Sequence, residues 1–319
     1  PGAVLYFRIY ALGMPALGIF NFGNAVLSAN GDTKRPLLYL TIAGILNVIL
    51  NLFFVIVCKM AADGVALASV ISQYVSAILV VWHMMRLNDA CKFYFQRLRF
   101  HGDEVGRILG LGVPAGIQHM IFAIANLFIQ AAVNSFDSTM VSGNAAAANT
   151  DTIIYNIMMA FYTACSTFMG QNWGAGHKKR MMDSYLISLF YAFAVAAVLG
   201  VAFYFAGRPF LYVFTNSADV VEAGMQRMKI MCFSYAISAF MDNTIAACRG
   251  LGRTIVPTVV VIMGSCVFRV IWVYTIFAHY HTIPSLYLLY AFSWTITAAA
   301  EIVYFLHCFR KLRLVPETA

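Results

Sequence analysis

Residues 36–57 form an apolar run broken only by Asn47 and Asn51; a polar loop carrying Lys34 and Arg35 leads into it, and Pro36 opens it. A basic loop, a proline in the first turn and ~20 apolar residues describe a helix long enough to cross a bilayer. The pattern recurs: apolar runs cover residues 6–29, 36–57, 62–85, 107–134, 141–171, 181–206, 220–248, 255–278 and 285–307. Barrel strands would be half as long and would alternate, so the runs are read as nine transmembrane helices. With 61% hydrophobic and 11% charged residues, the chain departs from a soluble domain, in which about a quarter of residues are charged. It is read as an all-α polytopic membrane protein.

Lysine and arginine fix the orientation. Fifteen of them, from Lys34 and Arg35 through Lys178–Arg180 to Arg310, Lys311 and Arg313, fall on one side of the nine runs. Four (Lys59, Arg208, Arg227 and Lys229) fall on the other. The richer side is assigned to the cytoplasm, which predicts a plasma (inner) membrane protein with its long polar connection and carboxy-terminus inside. Basic residues at helix ends account for the net charge of +8. No basic face interleaved with aromatics asks for nucleic acid as a partner. Seven scattered cysteines lack metal or CxxC spacing, and they read as small hydrophobes in helices.

The long polar stretch divides the chain into residues 1–85, a connection over 86–105 and residues 106–319. Its run KFYFQRLRF suits a segment lying among headgroups. A short motif repeats across that divide. NGDTKRP (30–36) is echoed by LGRTIVP (251–257), and a shift of 221 pairs Gly31 with Gly252, Thr33 with Thr254 and Pro36 with Pro257. Repeated transporters carry such copies at equivalent places in two lobes. The early copy comes after the first of three runs and the late copy after the fourth of six. Two equal six-helix lobes in parallel repeat therefore require three helices ahead of Pro1, and the chain reads as a piece of a longer one. Pro1 is no initiator, and residues 1–30 lack the order of a signal peptide.

These stretches resemble the multidrug and toxic compound extrusion (MATE) transporters. LSANGDTKRP, NVILN and DGVALASVISQ carry the likeness in the first part; GVPAGIQHMIF, GNAAAAN, GQNWGAGHKKR, AACRGLGRTIVP and SCVFRVIWVYTIF carry it in the second. The resemblance implies twelve helices, of which these are the fourth to twelfth. It implies a monomeric antiporter, not an enzyme, that exports drug-like and often cationic amphipathic compounds in exchange for H⁺ or Na⁺, without a cofactor. It also implies that Asn24, Asn47, Asn51 and Ser69 surround an essential aspartate on the family's first helix, upstream of Pro1. Asn51 stands where some members carry a second acid. The glutamate that a subgroup places early in its seventh helix is absent from HMIFAIANLF.

Read from the residues alone, Asn47 and Asn51 stack on one helix face, where their carbonyls could take Na⁺, or the asparagines could bridge helices. Gln118, Asn126, Gln130 and Asn134 mark one later helix; Tyr155, Asn156 and Tyr162 mark the next. They suit a wide aromatic cavity, although helix-to-helix hydrogen bonding would also use them. Charges inside spans are the sharpest signal: Asp242, Arg269 and Glu301. Asp242 reads as a proton-coupling acid or as the partner of Arg269. Trp272 and Trp294 read as packing aromatics that could line the cavity, and His119 as a group that could titrate near neutrality. Arg249–Gly252 and Lys178–Arg180 read as topology anchors. A flippase for a lipid-linked glycan precursor is the alternative; several buried arginines would favour it, and in the sequence only Arg269 lies deep in the later runs, which argues against it. No HExxH, paired intramembrane histidines or serine–lysine set suggests an enzyme.

Overall fold

A computed structural model describes residues 2–89 and 91–312, with side chains from residue 4; the cytoplasmic charge assigned to Arg313 lies outside the described residues. Its regular elements are all helical. They divide into two compact units, Pro1–Phe100 and His101–Ala319.

The first unit contains α1 (Gly2–Ala11), α2 (Met14–Ala29), α3 (Lys34–Leu52) and α4 (Ala62–Arg86). A π-helical turn, Phe53–Val57, prolongs α3. The run over 6–29, read as one helix, is broken in two: α1 and α2 are bent by 46°. Pro15 lies in the first turn of α2 and has no N–H to give to the carbonyl of Ala11, so the ladder fails there. α4 fills the notch. A Cβ on Gly13 would fall 2.0 Å from Gln73 Oε1, and the Tyr74 hydroxyl donates to the Leu12 carbonyl at 3.1 Å. The described residues therefore hold eight helices long and apolar enough to span, or nine if the bent pair counts as one.

The second unit contains α5 (Gly102–Val133), α6 (Ser138–Gly174), α7 (Lys178–Phe205), the short α8 (Gly207–Tyr212), α9 (Ala218–Gly250), α10 (Ile255–Tyr280) and α11 (Ile283–Lys311). α9 is the hub, packed on α6, α7 and α11. Small residues let the backbones close in, as they do between helices in lipid. A Cβ on Gly143 of α6 would lie 2.7 Å from the Gly224 nitrogen of α9, and one on Gly200 of α7 would lie 2.1 Å from the Cys232 carbonyl oxygen. Ile154, Met158, Ala192, Ala196, Met231 and Ala239 fill the space between these helices. α10 is irregular: π-helical turns at Ile262–Val267 and Val273–Phe277 flank the α-helical stretch Phe268–Trp272 that carries Arg269. Such turns each admit an extra residue and rotate the next side chains about the helix axis.

The repeated motif has the same local geometry in each unit. α2 ends with Gly31 N–H bonded to Ser28 O at 3.0 Å and Asp32 N–H to Leu27 O at 2.9 Å. α9 ends with Gly252 N–H bonded to Arg249 O and Arg253 N–H to Cys248 O, both at 2.9 Å. Each pair of bonds lies 221 residues from its counterpart, as the sequences do. Gly31 at φ 88° and Gly252 at φ 70° occupy the left-handed conformation that this helix ending requires. Thr33 and Thr254 then stand at the N-caps of α3 and α10.

Candidate functional site

A cavity of about 590 Å³ lies within the second unit, lined from α5, α6, α9, α10 and α11. Helical spacing selects its walls. α6 contributes Asn144, Ala148, Asp151, Tyr155, Met158 and Tyr162, alternately three and four residues apart. α9 contributes Arg227, Met231, Tyr235, Asp242 and Arg249 at the same kind of spacing. At 1.5 Å per residue the α9 stripe is about 33 Å long, close to the thickness of a bilayer's hydrocarbon core.

One end of the stripe holds a closed polar network. Arg227 forms an ion pair with Asp151, and the Tyr235 hydroxyl donates to the other carboxylate oxygen. Arg227 Nη1 also donates to Asn144 O at 3.0 Å and to Asn144 Oδ1 at 2.8 Å. The Tyr287 hydroxyl donates to Asn144 Oδ1 at 2.6 Å. The charges are matched, and both Arg227 terminal nitrogens are bonded, while its Nε is buried without a partner among the described residues.

The opposite end is cationic. Arg249 donates to the Tyr162 hydroxyl at 2.5 Å and to Gln118 Oε1 at 2.9 Å, both neutral acceptors. Midway, Arg269 is 2% exposed. Its Nε donates to Ser293 Oγ at 3.1 Å, and its guanidinium lies 4.5 Å from the Tyr290 ring centroid and 5.6 Å from those of Phe122 and Trp294. Arg269 Nη2 is buried without a hydrogen-bond partner. Asp242 faces the same space. Among the described residues it has no ion pair within 4.0 Å, so the fixed pairing with Arg269 is not formed.

Seven of the residues singled out in the sequence meet here: Gln118, Asn126, Tyr155, Tyr162, Asp242, Arg269 and Trp294. His119 and Gln130 join them. Asn156 does not. One residue past Tyr155 it is turned about 100° around α6 and points out of the lining stripe. Trp272 packs instead, donating to Ser285 O at 2.7 Å and stacking on Phe292. Arg249, expected to be a topology anchor, is part of the wall, and Arg227, expected to be a flanking charge, is buried. Asp151 does not stand among the expected residues, although an acid inside an apolar run is signal enough. Glu301 is fully buried outside the cavity lining, and neither carboxylate oxygen has a partner among the described residues.

The amides of the first unit bond locally. Asn51 Nδ2 donates to Asn47 O at 2.9 Å and to Asn47 Oδ1 at 3.0 Å, while Asn51 Oδ1 is buried and unpartnered. Asn24 Oδ1 accepts from Ser28 at 3.3 Å, and Ser69 donates to Val65 O at 3.0 Å.

Residues 114–275, half of the chain and most of the cavity wall, match the MatE family model. The chain belongs to the MATE family. A second model, described as Lipid II flippase MurJ, matches residues 3–121. Over 235 residues the chain is 31% identical to "Probable multidrug resistance protein YpnP" of Bacillus subtilis, covering 74% of this chain and 52% of that one. It is 25% identical over 226 residues to "FAD transporter" of Shewanella oneidensis, covering 68% and 49%. It thus spans about half the length of the curated relatives it matches. A solved MOP superfamily transporter from Pyrococcus furiosus superposes with a TM-score of 0.90 at 18% identity, over 97% of this chain and 71% of that one. A solved structure of a MATE protein in a bent conformation superposes with a TM-score of 0.86 at 18% identity, over 97% of this chain and 69% of that one, and these likenesses establish the fold.

Proposed function

We propose that the whole protein is a secondary active antiporter of the plasma membrane, exporting amphipathic, drug-like compounds in exchange for H⁺ or Na⁺ by alternating access. Asp242 carries the reading: an acid without an ion partner, deep in a span, on the wall of a cavity large enough for a small molecule. Ions and cargo move the access equilibrium only through different affinities for its states. Asp242 is assigned the ion, and Gln118, Asn126, Tyr155, Tyr162, Arg269 and Trp294 the cargo. In the first unit Asn24, Asn47, Asn51 and Ser69 are proposed to assist ion coupling, with the unpartnered Asn51 Oδ1 as the oxygen available to Na⁺. The matching helix endings at Gly31 and Gly252 support a parallel repeat, nine spans and a cytoplasmic linker and carboxy-terminus. A monomer suffices, since the cavity is lined within one unit.

The test is transport by the whole protein in liposomes under separate H⁺ and Na⁺ gradients. Drug uptake should track one of the two ions, and Asp242→Asn should abolish drug-driven ion flux. Coupled flux at the wild-type level in that variant would refute the assignment. Flipping of a lipid-linked glycan precursor is the second reading. The MurJ match over residues 3–121 and three arginines along one cavity favour it.

A further inference from the structure

We propose that the cavity of the second unit binds an anionic group, a phosphate or carboxylate, of its amphipathic cargo between Arg249 and Arg269. This rests on the reading of that cavity as the cargo chamber, and it names the class of cargo.

The lining carries an excess of positive charge. Five permanently charged or acidic side chains line the cavity: Arg227, Arg249, Arg269, Asp151 and Asp242. Arg227 and Asp151 neutralise each other in an ion pair. What remains is two arginines against Asp242, an excess of one positive charge, or of two when Asp242 carries a proton. His119 adds no negative charge in either form.

Geometry gives the excess a location. The Arg249 guanidinium is hydrogen-bonded to the neutral Tyr162 and Gln118, and the two acids whose charge reaches it, Asp242 and the buried Glu301, form no ion pair with it among the described residues. Arg269 is held at Nε by Ser293, while Nη2 has no partner at 2% exposure. A buried guanidinium donor left unpaired is costly, and a bidentate oxyanion is the ligand whose shape it fits. The aromatic surfaces argue the same way. A lipophilic cation would be received on ring faces, yet Tyr290, Phe122 and Trp294 already surround Arg269. An incoming cation would have to displace it or sit beside it, whereas an anion with an apolar body finds both charge and rings.

Matched dyes on one scaffold read the sign of the site directly. Fluorescein is anionic and tetramethylrhodamine methyl ester is cationic. Their binding to the whole protein in uncharged nanodiscs is monitored by fluorescence anisotropy. Fluorescein should bind the more tightly. Arg269→Gln should weaken it about tenfold, the loss of one charge-assisted contact, and leave the rhodamine ester unchanged or tighter. Arg249→Gln should act in the same direction. Arg269→Lys should keep part of the affinity, which separates lost charge from lost fold, and Asp242→Asn should strengthen fluorescein and weaken the ester. Phosphatidic acid added to the nanodiscs should displace fluorescein if the anion belongs to a lipid headgroup, and leave it bound if the cargo is a soluble anion. Tighter binding of the rhodamine ester, or fluorescein affinity indifferent to both glutamine variants, overturns the proposal. Loss of ion-coupled transport in Asp242→Asn, with dye preference indifferent to the arginines, would leave the antiport reading standing and remove only this one. An arginine-dependent fluorescein preference without coupled transport would do the reverse.

Discussion

Asp151 of α6, half-buried on the cavity wall, and the buried Arg227 of α9 form an ion pair, and they meet because Gly143 and Gly224 let the two backbones touch. Gly143 lies two turns before the acid and Gly224 one turn before the arginine. Helix packing thus sets the distance between the charges, and their attraction only completes it. Arg227 is 6% exposed, so neutralising its partner strands a cation inside the protein. Asp151→Asn should cost about 3 kcal/mol, the lower end of what breaking a buried pair costs, because the acid opens on the cavity. Replacing both, with Asp151→Leu and Arg227→Met, should recover most of that loss. Denaturant titration in detergent measures both, and equal losses in the single and double variants would show that the pair is not what the fold depends on.

The glycine contact makes a separate prediction. A methyl group on Gly143 would meet the Gly224 nitrogen at 2.7 Å, whereas one on Gly170, further along the same helix, would meet only the Gly250 carbonyl oxygen at 3.6 Å. Overpacking of a closed interface costs about 1–3 kcal/mol. Gly143→Ala should therefore lower the yield of folded protein and its unfolding midpoint, while Gly170→Ala should leave both within error. Size-exclusion profiles in detergent distinguish the two, and indistinguishable variants would mean that α6 and α9 stand further apart.

Gly31 and Gly252 provide a test of the repeat that needs no transport assay. Both are left-handed, at φ 88° and 70°. A Cβ on Gly31 meets nothing within 4 Å, and one on Gly252 meets only Trp173 at 3.7 Å. Alanine at either position should therefore cost the conformational penalty alone, about 1–2 kcal/mol. Asparagine, which tolerates this region, should cost less at both. Thermal unfolding of the four variants in detergent measures this, and unequal penalties would show that the two helix endings are not equivalent.

Some features of the fold are legible in the residues because they depend on the chain alone. Apolar length is of this kind, and it places the long helices within a few residues. The break at Gly13 and Pro15 is not visible, because a proline near the start of an apolar run usually opens a helix rather than dividing one. Arg269 stands out as a charge far from any helix end, and Asp242 as an acid inside an apolar run. Arg227 lies as far inside α9 (Ala218–Gly250) as Asp242 does, but a basic residue within a few turns of a helix end reads as a flanking charge, because its long stem can carry the charge back to the membrane surface. Arg249 looks like a loop charge for the same reason, and only the positions of Tyr162 and Gln118 turn it into the wall. The face on which Tyr155 is in and Asn156 is out is a matter of helical phase, once Asp151 and Tyr162 are known to share it.

Glu301 offers the sharpest separation of stability from function. Its carboxyl group is fully buried between packed helices, and neither oxygen has a hydrogen-bond partner among the described residues. Burying a polar group unpaired costs about 1–3 kcal/mol, a cost that an apolar residue of similar length would not carry. Glu301→Met should therefore raise the unfolding free energy of the protein in detergent by roughly that amount, and its denaturation midpoint with it. Glu301→Gln, which keeps the polar group and removes only the ionisable one, should change it little. A fall in stability on Glu301→Met would mean that the acid has a partner in the membrane-embedded protein. A rise accompanied by loss of coupled transport would mean that the chain bears a destabilising acid in α11 because ion movement requires it, alongside Asp242 in α9.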